Sequence, residues 1–212
     1  MSWSLERPRG SVFERHHNVP DLSIRSLRVH EIEKPTLVVG SSQNETVALG
    51  KIPVVRRRTG GGAVLLRPGE VFWVDVTLPR QDPLWVEDIT HSTLWLGDVW
   101  RRTFLNFNLP ADMHRGAMIR NRWSDRVCFA GKASGEVVVE GKKILGISQR
   151  RTRVGAWFQC AVLFEWPVHE IVDLLELIPK KEAKEELLEL ASSICIDATS
   201  LLNAFRENLP TN

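Results

Sequence analysis

The segment RRRTGGGAVLL has a composition and spacing suited to binding an anion. Gly60, Gly61 and Gly62 directly follow a basic strand end. Glycine permits positive φ angles and lets a ligand approach the backbone closely, so exposed N–H groups at this point can hold an anion. Arg56, Arg57 or Arg58 can add positive charge. A tight turn beside a solvated basic strand explains the same segment equally well.

A second segment, EVVVEGKKILGISQRR, places Lys143 at the start of a strand, just after a turn at Gly141. A lysine held there by a rigid element can bind a carboxylate or a phosphate, and it can polarise an acyl carbonyl. The alternative is that Lys142, Lys143 or both lie in water at the turn, which is the usual fate of a turn lysine.

Cys128 lies 15 residues before Lys143 and is a candidate nucleophile. A nearby ammonium would favour the thiolate, which is the reactive form of cysteine. The alternative is that Cys128 is a small buried hydrophobic residue, as most free cysteines are. The sequence predicts that Cys160 lies in the core and that Cys195 is structural.

Hydrophobic periodicity predicts the elements that position these residues. Alternation over residues 71–78 predicts a strand with Phe72, Val74, Val76 and Leu78 on one face. A helix is predicted from Trp85 to about Asn106, because its apolar residues recur at helical spacing and Asp82 before Pro83 suits a helix start. Residues 1 to about 35 are mostly irregular in this interpretation, apart from a short strand around Leu27 and Val29.

The remaining predicted elements form a meander followed by helices. Further strands are predicted at Thr36 to Gly40, Val54 to Arg57, Glu136 to Glu140, Ile144 to Thr152 and Trp157 to Phe164. Helices are predicted at Val168 to Ile178, Lys181 to Leu190 and Thr199 to Leu209. Strands first and helices later, with one helix between the strands, predict an α+β fold in a single domain spanning residues 1–212.

Bulk composition excludes several classes of protein. The 212 residues are 43% apolar and 25% charged, which argues against disorder. A formal net charge of +2 gives no basis for nucleic-acid or membrane-surface binding. Three widely spaced cysteines argue against a disulfide framework and a structural zinc site. The polar N-terminus and the lack of a long apolar run predict a cytoplasmic protein.

Together the two segments resemble the paired signature of the lipoyl protein ligase and octanoyltransferase superfamily. That family has an R-R-x-x-G-G-G-A-V loop, and later a turn followed by K-[IV]-x-G-S-[AS]. A third segment, TLVVGSSQN, resembles the family's V-x-G-x-x-Q-N motif. The matching residues are Arg57, Arg58, Gly60, Gly61, Gly62, Ala63 and Val64; then Lys143, Ile144, Gly146 and Ser148; and, in the third segment, Gly40, Gln43 and Asn44.

The resemblance implies the biotin/lipoyl protein ligase catalytic fold: a mixed, largely antiparallel sheet packed by helices around an acyl tunnel. It also implies a ligase that activates lipoate with ATP and magnesium as a lipoyl-adenylate. A lysine of a lipoyl carrier domain or glycine-cleavage carrier protein then attacks the carbonyl of this adenylate, and AMP leaves. The glycine loop, Gly146 and Ser148 would line the adenylate, and Lys143 would neutralise developing charge. Asp125 is the candidate magnesium ligand.

One branch of the superfamily implies a different reaction. Cysteine-dependent octanoyltransferases have a C-F-x-A-x-S-x-x-E-L-x-V-x-G-x-K pattern, matched here by Cys128, Phe129, Glu136, Val138, Gly141 and Lys143. In that branch the cysteine takes octanoate from acyl carrier protein as a thioester, without ATP.

Departures from the pattern leave a third hypothesis open. In the family the glycine loop continues with an aromatic residue and then His-Asp, but here LLRPGE follows, with Glu70 near the place of the missing acid. A later strand of the family has a His–Gly pair, which is replaced here by Cys160 and Ala161. These changes favour a non-catalytic relative that binds an acyl group or a carrier domain. No C-terminal accessory domain is expected in this chain, so a separate subunit is a possible partner.

Overall fold

The computed structural model describes residues 2–44 and 52–211, and these ranges contain ten strands and five α-helices. The strands are β1 (Ser4–Glu6), β2 (Ser26–His30), β3 (Thr36–Val39), β4 (Val54–Arg56), β5 (Val64–Leu66), β6 (Val71–Pro79), β7 (Ala111–Met113), β8 (Val137–Val139), β9 (Lys142–Arg151) and β10 (Gly155–Leu163). The helices are α1 (Val12–His17), α2 (Leu94–Leu105), α3 (Val168–Leu174), α4 (Lys180–Leu190) and α5 (Ala198–Glu207). A short 3₁₀ helix covers Cys128–Ala130.

The strands form two sheets. The larger has the order β1-β2-β6-β10-β9-β8-β7, and only its β1–β2 pair is parallel. The smaller has the order β4-β3-β5, with β3 parallel to β4 and antiparallel to β5. The predicted α+β fold with a mixed, largely antiparallel sheet is confirmed, and so is the β8–β9–β10 meander.

Both faces of β6 are buried. The predicted apolar face packs into the main core with α2 and α5, through residues such as Val74, Trp100 and Phe205. The opposite face carries Trp73 and Asp75, which are also buried. This second face points toward the smaller sheet, so the sequence alternation separates two interior environments rather than core from solvent.

The helix predicted from Trp85 begins only at Leu94, so that boundary is wrong. Asp82 does not cap a helix, because its carboxylate is bound by the Arg25 guanidinium at 2.6 and 2.7 Å. Asp88 accepts hydrogen bonds from the backbone N–H groups of residues 90 and 91. These contacts fold the segment into turns, in which Trp85 packs on the main core and Ile89 is exposed.

The N-terminal region is more ordered than predicted. It contains β1 and α1 in addition to the expected β2. Helix α1 begins with a capping box in which Ser11 and Glu14 satisfy each other's backbone N–H groups. The three C-terminal helices are confirmed, with ends shifted by a few residues. Among the described residues, no helix is long and apolar enough to cross a membrane.

Candidate active site

A cavity of about 320 Å³ lies between the two sheets, and most of the motif residues line it. Its floor is a cross-strand row in which Ala161 of β10 pairs with Gly146 of β9 on one side and with Trp73 of β6 on the other. The first two residues are small and leave space above the sheet, whereas the indole fills it. Val38 and Val64 of the smaller sheet also contribute to the wall. The cavity therefore extends across the strands and ends at Trp73.

A wider surface groove of about 1250 Å³ runs past Arg7, Glu31 and Cys195. It contains none of the motif residues, so the smaller cavity is the candidate site. Cys195 was predicted to be structural, but it is exposed. Cys160 is buried as predicted; burial raises the pKa of its thiol. Glu70 pairs with Arg67 and is not part of the cavity wall.

Within the glycine triplet, Gly61 and Gly62 lie close to neighbouring backbone segments, whereas Gly60 has open space around it. A Cβ on Gly62 would lie 2.7 Å from the backbone nitrogen of Cys128, and a Cβ on Gly40 would lie 1.9 Å from the carbonyl oxygen of Gly61. Gly61 also has a φ of +97°, a conformation that favours glycine. The triplet thus holds the cysteine segment at close range.

Arg57 and Arg58 have different environments. Arg57 is buried, and its guanidinium donates to the carbonyl oxygens of Gly60 (2.7 Å) and Gly62 (2.9 Å). It therefore shapes the glycine loop from within. Arg58 is exposed and is not part of the cavity wall. The anion-binding role predicted for these arginines remains a prediction.

The third motif connects the loop to the cysteine segment. Gln43 accepts from the Gly40 N–H at 2.8 Å and donates to the carbonyl oxygens of Asp125 and Arg126, both at 3.1 Å. Ala63 continues the connection, since its N–H donates to the Arg126 carbonyl (2.8 Å) and its carbonyl accepts from the Cys128 N–H (2.9 Å). The Gln43 motif, the glycine loop and the cysteine segment therefore meet at this one point.

Lys143 lies in a closed polar cage and is only 2% exposed. Its Nζ contacts Glu136 Oε2 at 2.7 Å, Cys128 O at 2.9 Å and Gly131 O at 3.0 Å. An ammonium has three N–H donors, and these three acceptors match them. The ring of Phe129 adds a cation–π contact at 5.1 Å. The solvated-turn alternative for Lys143 is therefore wrong.

Glu136 is fixed as firmly as the lysine. Its Oε1 accepts from the Ile147 N–H at 3.1 Å, and its Oε2 accepts from the Ala133 N–H at 2.7 Å. With Lys143 it forms an ion pair that is almost fully buried. Sequence reasoning matched this residue to the family pattern but gave it no role.

Cys128 begins the 3₁₀ helix, is partly exposed and lines the cavity. Lys143 reaches its backbone carbonyl oxygen rather than its thiol. On the neighbouring strand, Ser148 accepts a hydrogen bond from Thr59 at 3.1 Å. A Cβ on Gly146 would lie 3.5 Å from the Lys143 Cε, so glycine there leaves room beside the lysine.

Asp125 lies on the surface and forms an ion pair with Arg120 at 2.8 Å. It is outside the wall of the 320 Å³ cavity. Within residues 2–44 and 52–211, no group of three or more His, Cys, Asp or Glu side chains is placed to hold a metal. The magnesium role of Asp125 stays a prediction.

His16 of α1 also lines the cavity, although the family's two histidine positions are replaced in this sequence and His16 was not among the predicted site residues. The Ser–x–x–Glu capping box at Ser11 and Glu14 was the available signal for this helix. Nothing in the sequence indicated that the helix would place its histidine over Trp73, where the ring centroids are 4.6 Å apart.

The sequence model of the lipoyl protein ligase A/B catalytic domain matches residues 12–203. The chain belongs to this family. Octanoyltransferase LipM of an Exiguobacterium species is 32% identical over 138 residues, covering 59% of this chain and 49% of the relative. The LipM of Bacillus cereus is 28% identical over 189 residues, covering 83% and 66%. The chain thus spans between half and two thirds of the length of these curated relatives.

Solved structures of the lipoyl ligase type share the fold. The bi-partite lipoate protein ligase of Thermoplasma acidophilum superposes with a TM-score of 0.75 at 14% identity, covering 98% of this chain and 82% of that one. A lipoate-protein ligase A bound with ATP gives a TM-score of 0.69 at 16% identity, covering 98% and 84%. At these identities the likeness establishes the architecture alone.

Proposed function

We propose that this chain transfers an eight-carbon acyl group, octanoyl or lipoyl, to a lysine of a lipoyl carrier domain through a thioester on Cys128. The observation that carries the proposal is the position of this cysteine. It lies in the cavity wall with its N–H bound to Ala63 and its carbonyl oxygen bound to Lys143. The naming of the LipM relatives as octanoyltransferases supports the same reaction.

The dimensions of the cavity suit an acyl group of this length. Gly146 and Trp73 are separated by two strand spacings in the floor row, which is roughly 10 Å. An extended eight-carbon chain has seven C–C bonds of about 1.5 Å in a zigzag, so its length is roughly 9 Å. An acyl group attached near Lys143 would therefore end close to the indole.

The first step forms the thioester. The Cys128 thiolate attacks the carbonyl carbon of an acyl thioester presented by acyl carrier protein, and a new C–S bond forms. The original C–S bond breaks, and the carrier thiol leaves with the proton that the Cys128 thiol gave up. Charge develops on the carbonyl oxygen in the transition state, beside the cage of Lys143.

The second step releases the acyl group. The neutral amine of the acceptor lysine attacks the thioester carbon, an amide bond forms, and the C–S bond to Cys128 breaks. The Cys128 thiolate leaves, and the proton lost by the amine returns it to the thiol. The carrier domain, the acyl carrier protein and a separate accessory subunit are proposed partners on the same basis.

Lys143 is proposed to stabilise the oxyanion in both steps. Its three donors are already occupied, so one must move from Cys128 O or Gly131 O to the substrate. The buried carboxylate of Glu136 stays paired with the ammonium while this exchange takes place. Backbone N–H groups of the glycine loop are nearby additional donors.

One observation favours the adenylate-forming ligase as the second candidate. Gly60 and Gly61 are exposed, line the cavity, and their N–H groups have no hydrogen-bond acceptor among residues 2–44 and 52–211. Such groups suit an adenylate phosphate. In this reaction ATP and magnesium activate lipoate, and Cys128 has no covalent role.

Intact-mass spectrometry distinguishes the two reactions. The protein is incubated with octanoyl-acyl carrier protein in one tube, and with lipoate, ATP and magnesium in the other. We expect an octanoyl adduct in the first tube that is lost in Cys128→Ala. Cys195→Ala is the matched control, because it removes an exposed cysteine outside the cavity and should keep the adduct.

The other outcomes are equally informative. No adduct, together with lipoyl-adenylate or pyrophosphate in the second tube, would replace the transferase proposal with the ligase. Ligand binding without turnover in either tube would support the non-catalytic relative. An adduct that persists in Cys128→Ala would refute the assignment of the nucleophile.

A further inference from the structure

The closed end of the cavity carries a buried polar network. The carboxylate of Asp75 accepts from Trp73 Nε1 at 2.7 Å and contacts His30 Nε2 at 2.7 Å. Gln159 Nε2 lies 3.4 Å from Asp75 Oδ1 and 3.2 Å from His16 Nδ1. The His16 ring stacks on the Trp73 indole. The end of the cavity at Trp73, where the proposed acyl tail would lie, is therefore polar.

The network determines which nitrogen of His16 carries the proton. A carboxylate only accepts hydrogen bonds, so the Gln159 group nearest Asp75 is the amide NH₂. The same NH₂ faces His16 Nδ1, which must therefore accept. In the neutral imidazole the proton then resides on Nε2, and Nε2–H is a donor.

This donor is buried and unsatisfied within the described part of the chain. His16 is 5% exposed, lines the cavity, and its Nε2 has no hydrogen-bond partner among the described residues. Burial, opposed by Asp75, lowers the pKa of His16 to about 4, so the ring is neutral at pH 7. A buried donor without an acceptor is unfavourable, and supplying one improves binding roughly tenfold to a hundredfold.

We infer that, among the acyl groups that the proposed function allows, this chain prefers one with a hydrogen-bond acceptor at its far end, which His16 Nε2 binds. The acceptor is a dithiolane sulfur or an oxygen function, and a plain hydrocarbon end would leave the imidazole N–H unpaired. This inference rests on the proposed function, because it assumes that an acyl chain occupies the cavity. It makes His16 a specificity-determining residue.

Equilibrium binding tests the inference without requiring transfer. Isothermal titration calorimetry with free octanoic acid, ω-hydroxyoctanoic acid and lipoic acid needs no thioester and no ATP. We expect ω-hydroxyoctanoic acid to bind at least tenfold tighter than octanoic acid, and lipoic acid to lie between them because sulfur is a weaker acceptor. Because binding is measured without transfer, failure of acyl transfer in the mass-spectrometry experiment would not change the interpretation of these affinities.

Variants of His16 separate hydrogen bonding from shape. His16→Phe keeps an aromatic ring over Trp73 but removes the donor, so the hydroxyl preference should disappear. His16→Gln retains an N–H donor and should keep part of the preference for the hydroxylated acid. The matched control is His17→Phe, because His17 stacks on Phe13 and is not part of the cavity wall.

Two results would overturn the inference. Equal affinities for octanoic and ω-hydroxyoctanoic acid in the unsubstituted protein would mean that a water molecule accepts the hydrogen bond from His16 Nε2. A preference for either functionalised acid that survives in a folded His16→Phe protein would mean that cavity shape selects the ligand. If His16→Phe fails to fold, the first comparison and the His16→Gln variant still decide the question.

Discussion

Removing the ammonium of Lys143 should destabilise the fold as well as abolish acyl transfer. Lys143→Met keeps an unbranched side chain of similar length but leaves the Glu136 carboxylate buried without its counter-ion. The carbonyl oxygens of Cys128 and Gly131 lose a donor at the same time. Substitution of a residue that acts in both transfer and folding lowers activity and stability together, whereas substitution of a residue that only contacts substrate lowers activity alone.

The size of the effect follows from the burial of the pair. Breaking a buried ion pair by removing one partner costs about 3–5 kcal/mol, because an unpaired charge remains in the interior. For a protein of this size that corresponds to a drop in melting temperature of roughly 6–20 °C. Neutralising the carboxylate as well, in Lys143→Met with Glu136→Gln, should recover part of this stability while activity stays absent.

A double-mutant cycle measures this coupling. Urea unfolding of the unsubstituted protein, the two single variants and the double variant gives four free energies, and we expect a favourable coupling of at least about 2 kcal/mol. The intact-mass assay on the same samples reports acylation. Lys143→Met with unchanged stability would show that the cage contributes nothing to folding. A double variant no more stable than Lys143→Met would refute the reasoning from unpaired charge.

Three further predictions test the architecture of the site. Gly62→Ala should lower the free energy of unfolding by about 1–3 kcal/mol and slow acylation, because its Cβ meets the Cys128 backbone. The control is Gly60→Ala, which should change neither stability nor acylation because no atom lies within 4 Å of its Cβ. Ala161→Leu should block octanoic acid binding in calorimetry, with stability changed by less than about 1 kcal/mol, because the side chain fills existing space. Folding lowers the pKa of His16 from 6.5 to about 4, so the unfolded state takes up a proton at a higher pH than the folded state does. The free energy of unfolding should therefore fall between pH 6.5 and 4. In urea unfolding, His16→Phe should reduce that fall by about 3 kcal/mol.

The long strands and the motif residues were predictable because local sequence determines them. The alternation along β6 and the meander of β8, β9 and β10 have the period and turn residues of strands. The order of three motifs indicated the family, and the structure brings Gly62, Gln43 and Cys128 to one point. These features depend on near neighbours in the chain or on a recognisable pattern.

The remaining features depend on contacts between distant residues. Asp82 is drawn into a pair with Arg25, 57 residues away, and this displaced the predicted helix start. His16 reaches Gln159 across 143 residues, and no local pattern encodes that contact. The burial of Lys143 depends on a carboxylate and two carbonyl oxygens that come together only when the 3₁₀ helix packs on β9. Sequence identified the residue but not its environment.

The saturated cage of Lys143 has a consequence for how the site would work. An ammonium with all three donors occupied cannot receive a substrate oxygen until one protein contact is released. The contact to Cys128 O is the natural one to exchange, because that carbonyl belongs to the residue whose thiol is proposed to be acylated. Releasing it would free the start of the 3₁₀ helix while Glu136 and Gly131 still hold the charge in place. Acyl binding and the positioning of Cys128 would then be coupled through a single hydrogen bond.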